Sequence, residues 1–110
     1  MSNFDLTKMD SEITNRCNAA CVLCPRTGTY AGGTSYEVHN SGPLDVSLDV
    51  IDECLAWPIK KWKYCGNYGD PMAHPKVWDI AEMISKSTVK AQQFDTNGSL
   101  RSTSFWRELG

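Results

Sequence analysis

The chain of 110 residues is long enough for one domain with a hydrophobic core, but too short for two such domains or for a complete barrel. Its 41% hydrophobic and 22% charged residues are ordinary for a soluble protein, and its net charge of -2 gives no general attraction to nucleic acid or anionic membranes. The first ten residues lack a signal-peptide core, and no later stretch approaches the roughly 20 apolar residues that span a bilayer. We therefore expect a cytoplasmic protein without a membrane or nucleic-acid partner.

The first half of the chain predicts a strand, a long loop and a helix. Residues 8–14 are placed as a strand by their position before a cysteine-rich segment. Residues 25–43 are rich in Gly, Ser and Thr, which is typical of a long loop. Apolar residues recur at helical spacing between 46 and 56, and either Asp45 or Ser47 is available as the helix cap.

The second half predicts two further strand and helix pairs. Lysines alternate with aromatic residues over 61–65, as in a short strand, and a helix follows Pro75 and ends near Ser87. Residues 89–95 read as a third strand, and Ser104 opens a last helix. Strands that alternate with helices predict an α/β fold with parallel pairing, and such sheets bind ligands at the carboxyl ends of their strands. Three candidate motifs lie at such ends, at residues 17–24, 65–71 and 95–98.

The most informative pattern is the C-x3-C-x2-C array of Cys17, Cys21 and Cys24. In a reducing compartment, clustered cysteines are more often metal ligands than disulfides. Three thiolates on one loop can each bind a different iron of a cubane cluster and leave the fourth iron open, and neither common ferredoxin spacing matches this array. A zinc site is the alternative, and its fourth ligand would come from His39, His74, Cys54 or Cys65.

The segment EITNRCNAACVLCP, residues 12–25, resembles the cluster loop of the radical S-adenosylmethionine (SAM) superfamily. Leu23 stands at that motif's apolar position before the third cysteine and is counted among the implied cofactor-binding residues. The resemblance implies that Cys17, Cys21 and Cys24 ligate a [4Fe–4S] cluster. It also implies that the amino and carboxylate groups of SAM chelate the open iron, and that SAM is cleaved reductively to a 5′-deoxyadenosyl radical.

A second stretch, CGNYGDP at residues 65–71, resembles the Gly-Gly-Glu-Pro-like motif that follows the second strand of the superfamily. Gly69, Asp70 and Pro71 match it best, with Asp in place of the usual Glu. The resemblance implies that exposed backbone groups and this acid meet the SAM amino group. Glycine suits such a position because it permits close approach of the backbone to a ligand.

A third stretch, DTNGSL at residues 95–100, resembles the end of the third strand in many superfamily members and implies that Thr96 and Asn97 lie near SAM. The superfamily core is a partial barrel of six βα units. Residues 1–110 would then form a truncated radical SAM core domain with about three of those units.

The predicted function is a radical SAM enzyme core with an unknown substrate. Because later units normally supply much of the substrate pocket, we expect catalysis only with a missing C-terminal half or a partner chain. The resemblance further implies an electron donor such as flavodoxin or ferredoxin. A non-catalytic iron–sulfur or zinc-binding module is the alternative.

Other chemically active residues are predicted to be structural. Cys54 lies inside the first predicted helix and Cys65 ends a strand, and cysteine is commonly buried as a small apolar residue. His74 precedes a helix and is more often a turn residue or cap than a base in such a position. The tryptophans are predicted to pack in the core or between helices: Trp57, Trp62, Trp78 and Trp106.

Overall fold

The protein is an α/β fold in which three parallel strands alternate with helices. The computed structural model describes residues 6–17, 21, 45–66 and 69–110. Its strands are β1 (Lys8–Ser11), β2 (Lys61–Tyr64) and β3 (Ala91–Phe94), and its helices are α1 (Leu48–Cys54), α2 (Val77–Ser85) and α3 (Thr103–Leu109). A 3-10 turn, Pro71–Ala73, lies between β2 and α2. The strands pair in the order β1-β2-β3 and both pairs are parallel, which confirms the predicted α/β class with parallel pairing, while the partial barrel stays a prediction.

The ends of these elements differ from the sequence predictions. β1 covers only the first half of the range 8–14, whereas β3 and α3 begin within about two residues of their predicted starts, as is common for element ends. The cap of α1 is Ser47, whose hydroxyl accepts a hydrogen bond from Val50 N–H at 3.4 Å. Asp45, the other candidate cap, pairs with Arg16 instead. No helix in the described part of the chain is long and apolar enough to cross a membrane.

The two faces of the sheet have different environments because side chains alternate along each strand. Trp62 and Tyr64 on β2 are 1% and 0% exposed and point into the core, whereas Lys61, the first residue of the strand, is exposed. The ring of Tyr64 stacks on Phe94 with centroids 4.1 Å apart. The core comprises Ile13, Ile51, Ile59, Trp62, Tyr64, Met72, Val77, Ile80, Ile84 and Val89.

The tryptophans do not all follow the prediction. Trp62 lies in the core, and Trp78 and Trp106 pack edge-on against Phe105 at 5.7 and 5.6 Å between centroids. Trp57 is 54% exposed, so its predicted packing role is wrong. The reason is that α1 ends at Cys54, which leaves Trp57 in the turn beyond the helix.

A buried hydrogen bond between the strands gives a first testable prediction. The indole N–H of Trp62 donates to Ser11 Oγ at 2.8 Å, and the Ser11 hydroxyl donates to Lys63 O at 3.2 Å. The Ser11→Ala variant would leave this buried indole without its acceptor, so we expect it to lower the free energy of unfolding by about 1–3 kcal/mol. The measurement is the urea midpoint of each variant.

Ser85→Ala is the matched control for this prediction. Ser85 is exposed, and its hydroxyl donates to Glu82 O at 2.7 Å within the last turn of α2. Its removal should change the free energy of unfolding by no more than about 0.5 kcal/mol. Equal midpoints for the two variants would show that the indole bond contributes nothing specific.

Candidate functional site

The segments that follow the three strands meet at one end of the sheet. Cys65 N–H donates to Ser11 O at 2.8 Å and Asp95 N–H donates to Tyr64 O at 2.9 Å, so the parallel pairing continues past the strand ends. We call this region, residues 12–17, 65, 66, 69, 70 and 95–98, the carboxyl edge. Parts of all three sequence motifs lie there, as the alternation of strands and helices predicted.

Gly69 brings the loop after β2 against the loop after β1. A Cβ atom on Gly69 would lie 2.0 Å from Thr14 O and 2.9 Å from the carbonyl carbon of Asn15. Gly66 is equally tightly packed against Gly69, since a Cβ on Gly66 would lie 2.0 Å from Gly69 O. These contacts involve backbone atoms that cannot rotate away, so only glycine fits at both positions. The glycines of the CGNYGDP motif therefore have a packing role in this structure.

Asp70 joins the loop after β3 to the turn after β2. Its side chain is 5% exposed, and its carboxylate accepts hydrogen bonds from Met72 N–H at 2.9 Å and Asn97 N–H at 2.8 Å. The Thr96 hydroxyl lies 2.8 Å from one carboxylate oxygen and 2.9 Å from the other. The structure therefore brings together Asp70, Thr96 and Asn97, which the sequence assigned to one cofactor site from two separate motifs.

Asp45 connects the segment before α1 to the segment that precedes Cys17. Its Oδ1 accepts from the Thr14 hydroxyl at 2.6 Å, and both of its oxygens accept from Arg16 Nε at 3.0 and 3.1 Å. The backbone adds an isolated antiparallel bridge between Thr14 and Asp45 and a bond from Val46 N–H to Ile13 O at 2.9 Å. Sequence reasoning considered Asp45 only as a helix cap, because nothing in its local pattern indicates partners 29 and 31 residues away.

Cys17 lies next to Arg16 at the wall of an open cavity of about 290 Å³. Cys17 is half-buried, whereas Cys21 is exposed. The residues that line this cavity are Arg16, Cys17, Met72, Ala73, Leu100 and Arg101. Cys17 therefore lies beside the turn that follows Asp70.

The structure describes only two of the three cysteines of the array, Cys17 and Cys21. Leu23 and Cys24 lie outside the described residues, so the three-cysteine cluster site stays a prediction. Within the described residues, no three His, Cys, Asp or Glu side chains are arranged to hold a metal ion. Pro71 is buried at the first position of the 3-10 turn that Asp70 caps, so its observed contribution is to the shape of that turn.

His74 is engaged in structural hydrogen bonds and does not face an open ligand position. It is 3% exposed, its Nδ1 accepts from Lys76 N–H at 3.0 Å, and its Nε2 lies 2.8 Å from Val46 O. An Nδ1 that accepts is unprotonated, so Nε2 carries the proton and donates to the carbonyl. The prediction of a structural histidine is confirmed, and with both nitrogens occupied His74 does not serve as the fourth ligand of a zinc site.

Arg101, another lining residue of this cavity, was missed by sequence reasoning. Its Nε donates to Met72 O and its Nη2 donates to His74 O, both at 2.9 Å, while its guanidinium lies 5.3 Å from the Phe105 ring centroid. The two carbonyls belong to the turn that follows Asp70. Arg101 therefore attaches the start of α3 to the same turn that Asp70 attaches to the loop after β3.

Cys65 lies at the carboxyl edge with several carboxylates near its thiol. Burial raises the pKa of its thiol above the ordinary value, and the carboxylates of Asp10, Glu12 and Asp95 raise it further, against an opposing effect of Lys63. The thiol donates to Ser11 O at 3.6 Å. Cys65 thus stays a protonated thiol at neutral pH, which agrees with the predicted packing role better than with a metal ligand.

Two curated proteins are similar to this chain. It is 30% identical over 98 residues to the tungsten-containing aldehyde ferredoxin oxidoreductase cofactor-modifying protein of Pyrococcus furiosus, over 89% of this chain and 26% of that protein. It is 27% identical over 96 residues to a probable GTP 3′,8-cyclase of Methanocaldococcus jannaschii, over 87% of this chain and 30% of that protein. No protein-family model and no solved structure gives a significant match.

The chain thus spans between a quarter and a third of the length of these two relatives. Alignments of 98 and 96 residues in a chain of 110 take in the cysteine array and the loop after β2. The similarity therefore covers most of the carboxyl edge as the structure describes it.

Proposed function

We propose that this chain is part of a radical SAM enzyme core that holds a [4Fe–4S] cluster on Cys17, Cys21 and Cys24 and binds SAM beside it. The observation that carries the proposal is the convergence at the carboxyl edge, where Cys17 lies near two loops that Asp70 holds together. Similarity to a GTP 3′,8-cyclase supports a radical SAM-like role for the same stretch of chain.

The donor set fits the proposed cluster. Cysteine thiolates are the usual ligands of iron–sulfur clusters, and three of them leave one iron open to a small chelating molecule. Cys21 is exposed, and the half-buried Cys17 borders an open cavity beside the turn that follows Asp70. When bound, the cluster would supply the electron that cleaves SAM reductively to a 5′-deoxyadenosyl radical.

The proposed SAM site lies where the loops after β2 and β3 meet. Gly69, Asp70 and Pro71 would provide its backbone wall on one side, and Thr96 and Asn97 would lie on the other. Leu23, next to the third cysteine in the sequence, is the remaining proposed contact. The proximity of Asp70 to Thr96 and Asn97 supports a shared site, because residues from two strand ends commonly line one ligand in parallel sheets.

Turnover and partners follow from the same proposal. The chain spans 26% and 30% of the two relatives, so we expect an organic substrate to contact residues outside the aligned quarter to third of such proteins. A flavodoxin or ferredoxin is proposed as the electron donor. A substrate is not assigned.

The experiment that tests the proposal is anaerobic reconstitution of the chain with iron and sulfide, followed by analysis of both elements. We expect about four irons per chain for the unaltered protein and for Cys54→Ser, which changes a half-buried cysteine in α1. The triple variant Cys17→Ser, Cys21→Ser, Cys24→Ser should bind almost none. Iron in the triple variant would refute the ligand assignment, and stoichiometric zinc in place of iron would favour the metal-binding module.

A further inference from the structure

The carboxylate of Asp70 is almost fully used by the protein itself. A carboxylate offers about four lone-pair positions, and here the hydroxyl of Thr96 and the N–H groups of Met72 and Asn97 donate to its two oxygens at 2.8–2.9 Å. With 5% of the residue exposed, the remaining acceptor capacity has little access to a ligand. A carboxylate whose main partner is the ammonium group of a ligand would instead keep acceptor positions open to that ligand.

We propose that Asp70 is a positioning residue, whose carboxylate holds the loop after β3 against the turn after β2 and does not itself receive the SAM amino group. This inference rests on the proposed SAM site. The superfamily resemblance implies direct contact by the acid at this position, so the proposal assigns Asp70 a different role from the one that the motif alone suggests.

The backbone of Asp70 also contacts the segment that leads to Cys17. Its N–H donates to Arg16 O at 2.8 Å, one residue before Cys17, and the preceding Gly69 lies against Thr14 O. One residue therefore contacts the segments after β1, β2 and β3. A shift of Asp70 would move Thr96 and Asn97 and would also disturb the backbone that leads to Cys17.

Two substitutions distinguish positioning from direct contact. Asp70→Asn replaces one acceptor oxygen by an NH2 group, so Met72 N–H or Asn97 N–H loses its acceptor. Asp70→Glu restores the residue type of the superfamily motif but lengthens the side chain inside a buried space. A direct contact would tolerate glutamate, whereas a positioning role would not, because the longer side chain cannot keep all three donors at 2.8–2.9 Å.

The first measurement is amide hydrogen exchange of the chain as purified, read on fragments that cover residues 70–74 and 95–99. We expect at least about tenfold faster exchange of these fragments in Asp70→Asn and Asp70→Glu, because the amides of Met72 and Asn97 lose a buried acceptor. Asp52→Asn, an exposed change in α1, is the control and should leave the exchange unchanged. Unchanged exchange in both Asp70 variants would overturn the proposal.

The second measurement is the SAM concentration that half-shifts the electron paramagnetic resonance signal of the reduced, reconstituted cluster. We expect both Asp70 variants to need at least about tenfold more SAM at unchanged iron content. Thr96→Val should behave similarly, and Thr96→Ser, which keeps the donating hydroxyl, should restore the unaltered value. These Thr96 variants retain Asp70 itself, so they test the proposal even if an Asp70 variant fails to fold.

The outcomes separate this inference from the proposed function. An Asp70→Glu variant that binds SAM as tightly as the unaltered chain would show direct contact and overturn the positioning role. If the unaltered chain binds a cluster that does not respond to SAM, the proposed function fails. The exchange experiment, which needs neither cluster nor SAM, then still decides whether Asp70 holds the two loops together.

Discussion

The Gly69→Ala variant is expected to lose about 3 kcal/mol of unfolding free energy, at the upper end of what steric overpacking usually costs. The new Cβ would lie 2.0 Å from Thr14 O and 2.8 Å from the Thr14 carbonyl carbon, and these are backbone atoms of another segment. Relief requires the loops after β1 and β2 to separate, which would also stretch the bond from Asp70 N–H to Arg16 O. The measurement is a urea unfolding curve, in which we expect the midpoint to fall by about 2 M.

Gly98→Ala is the control that separates steric overlap from loss of glycine's backbone freedom. Gly98 has a φ of 76°, and a Cβ there meets nothing within 4 Å, so its cost is only that of a left-handed conformation, about 1 kcal/mol. The account requires Gly69→Ala to be clearly the more destabilising change. Equal midpoints for the two variants would show that the loops after β1 and β2 are not in contact as described.

Alkaline pH is expected to destabilise the chain through Tyr64. Burial raises the pKa of Tyr64 well above its ordinary value of 10.0, and the hydroxyl donates to Gln92 Oε1 at 2.5 Å. The folded state therefore requires the neutral phenol, while the unfolded chain ionises freely. Stability from this group is fully present below pH 10 and is lost as pH rises toward the folded pKa, at about 1.4 kcal/mol per pH unit.

The Tyr64→Phe variant isolates this effect, since lysines titrate in both proteins and cancel in the difference. At pH 7 we expect the variant to be less stable by about 1–2 kcal/mol, because Gln92 Oε1 loses its donor. Above pH 10 the difference should shrink, and near pH 11 the variant should become the more stable protein. The measurement is the urea midpoint of both proteins from pH 7 to 11.5; a constant difference would refute the buried phenol.

The order and type of the elements were predictable because their signals are local. The helical spacing of Val77, Ile80 and Ile84 places all three in the core, and the alternation of Trp62 with lysines gives a strand with one buried face. The ends were less predictable. Asp45 fits a helix cap by its sequence position, yet its partner is Arg16, 29 residues away in the sequence.

The location of the candidate site was predictable from the sequence, but the hydrogen bonds within it were not. Motif positions and parallel pairing place Gly69, Asp70 and Thr96 at one end of the sheet, as observed. The role of Arg101 was not predictable, because its two acceptors are backbone carbonyls that carry no side-chain signal. For His74 the structural role was predictable but its partner was not, since the Val46 carbonyl that it contacts is 28 residues away in the sequence.

The most direct test of the proposed function is electron paramagnetic resonance of the anaerobically reconstituted and reduced chain, recorded with and without SAM. We expect a [4Fe–4S] signal that changes shape or position when SAM is added, because SAM would bind the iron that Cys17, Cys21 and Cys24 leave open. Asp52→Asn, an exposed change in α1, should show the same response. A cluster signal that SAM does not alter, or no cluster signal at all, would contradict the account.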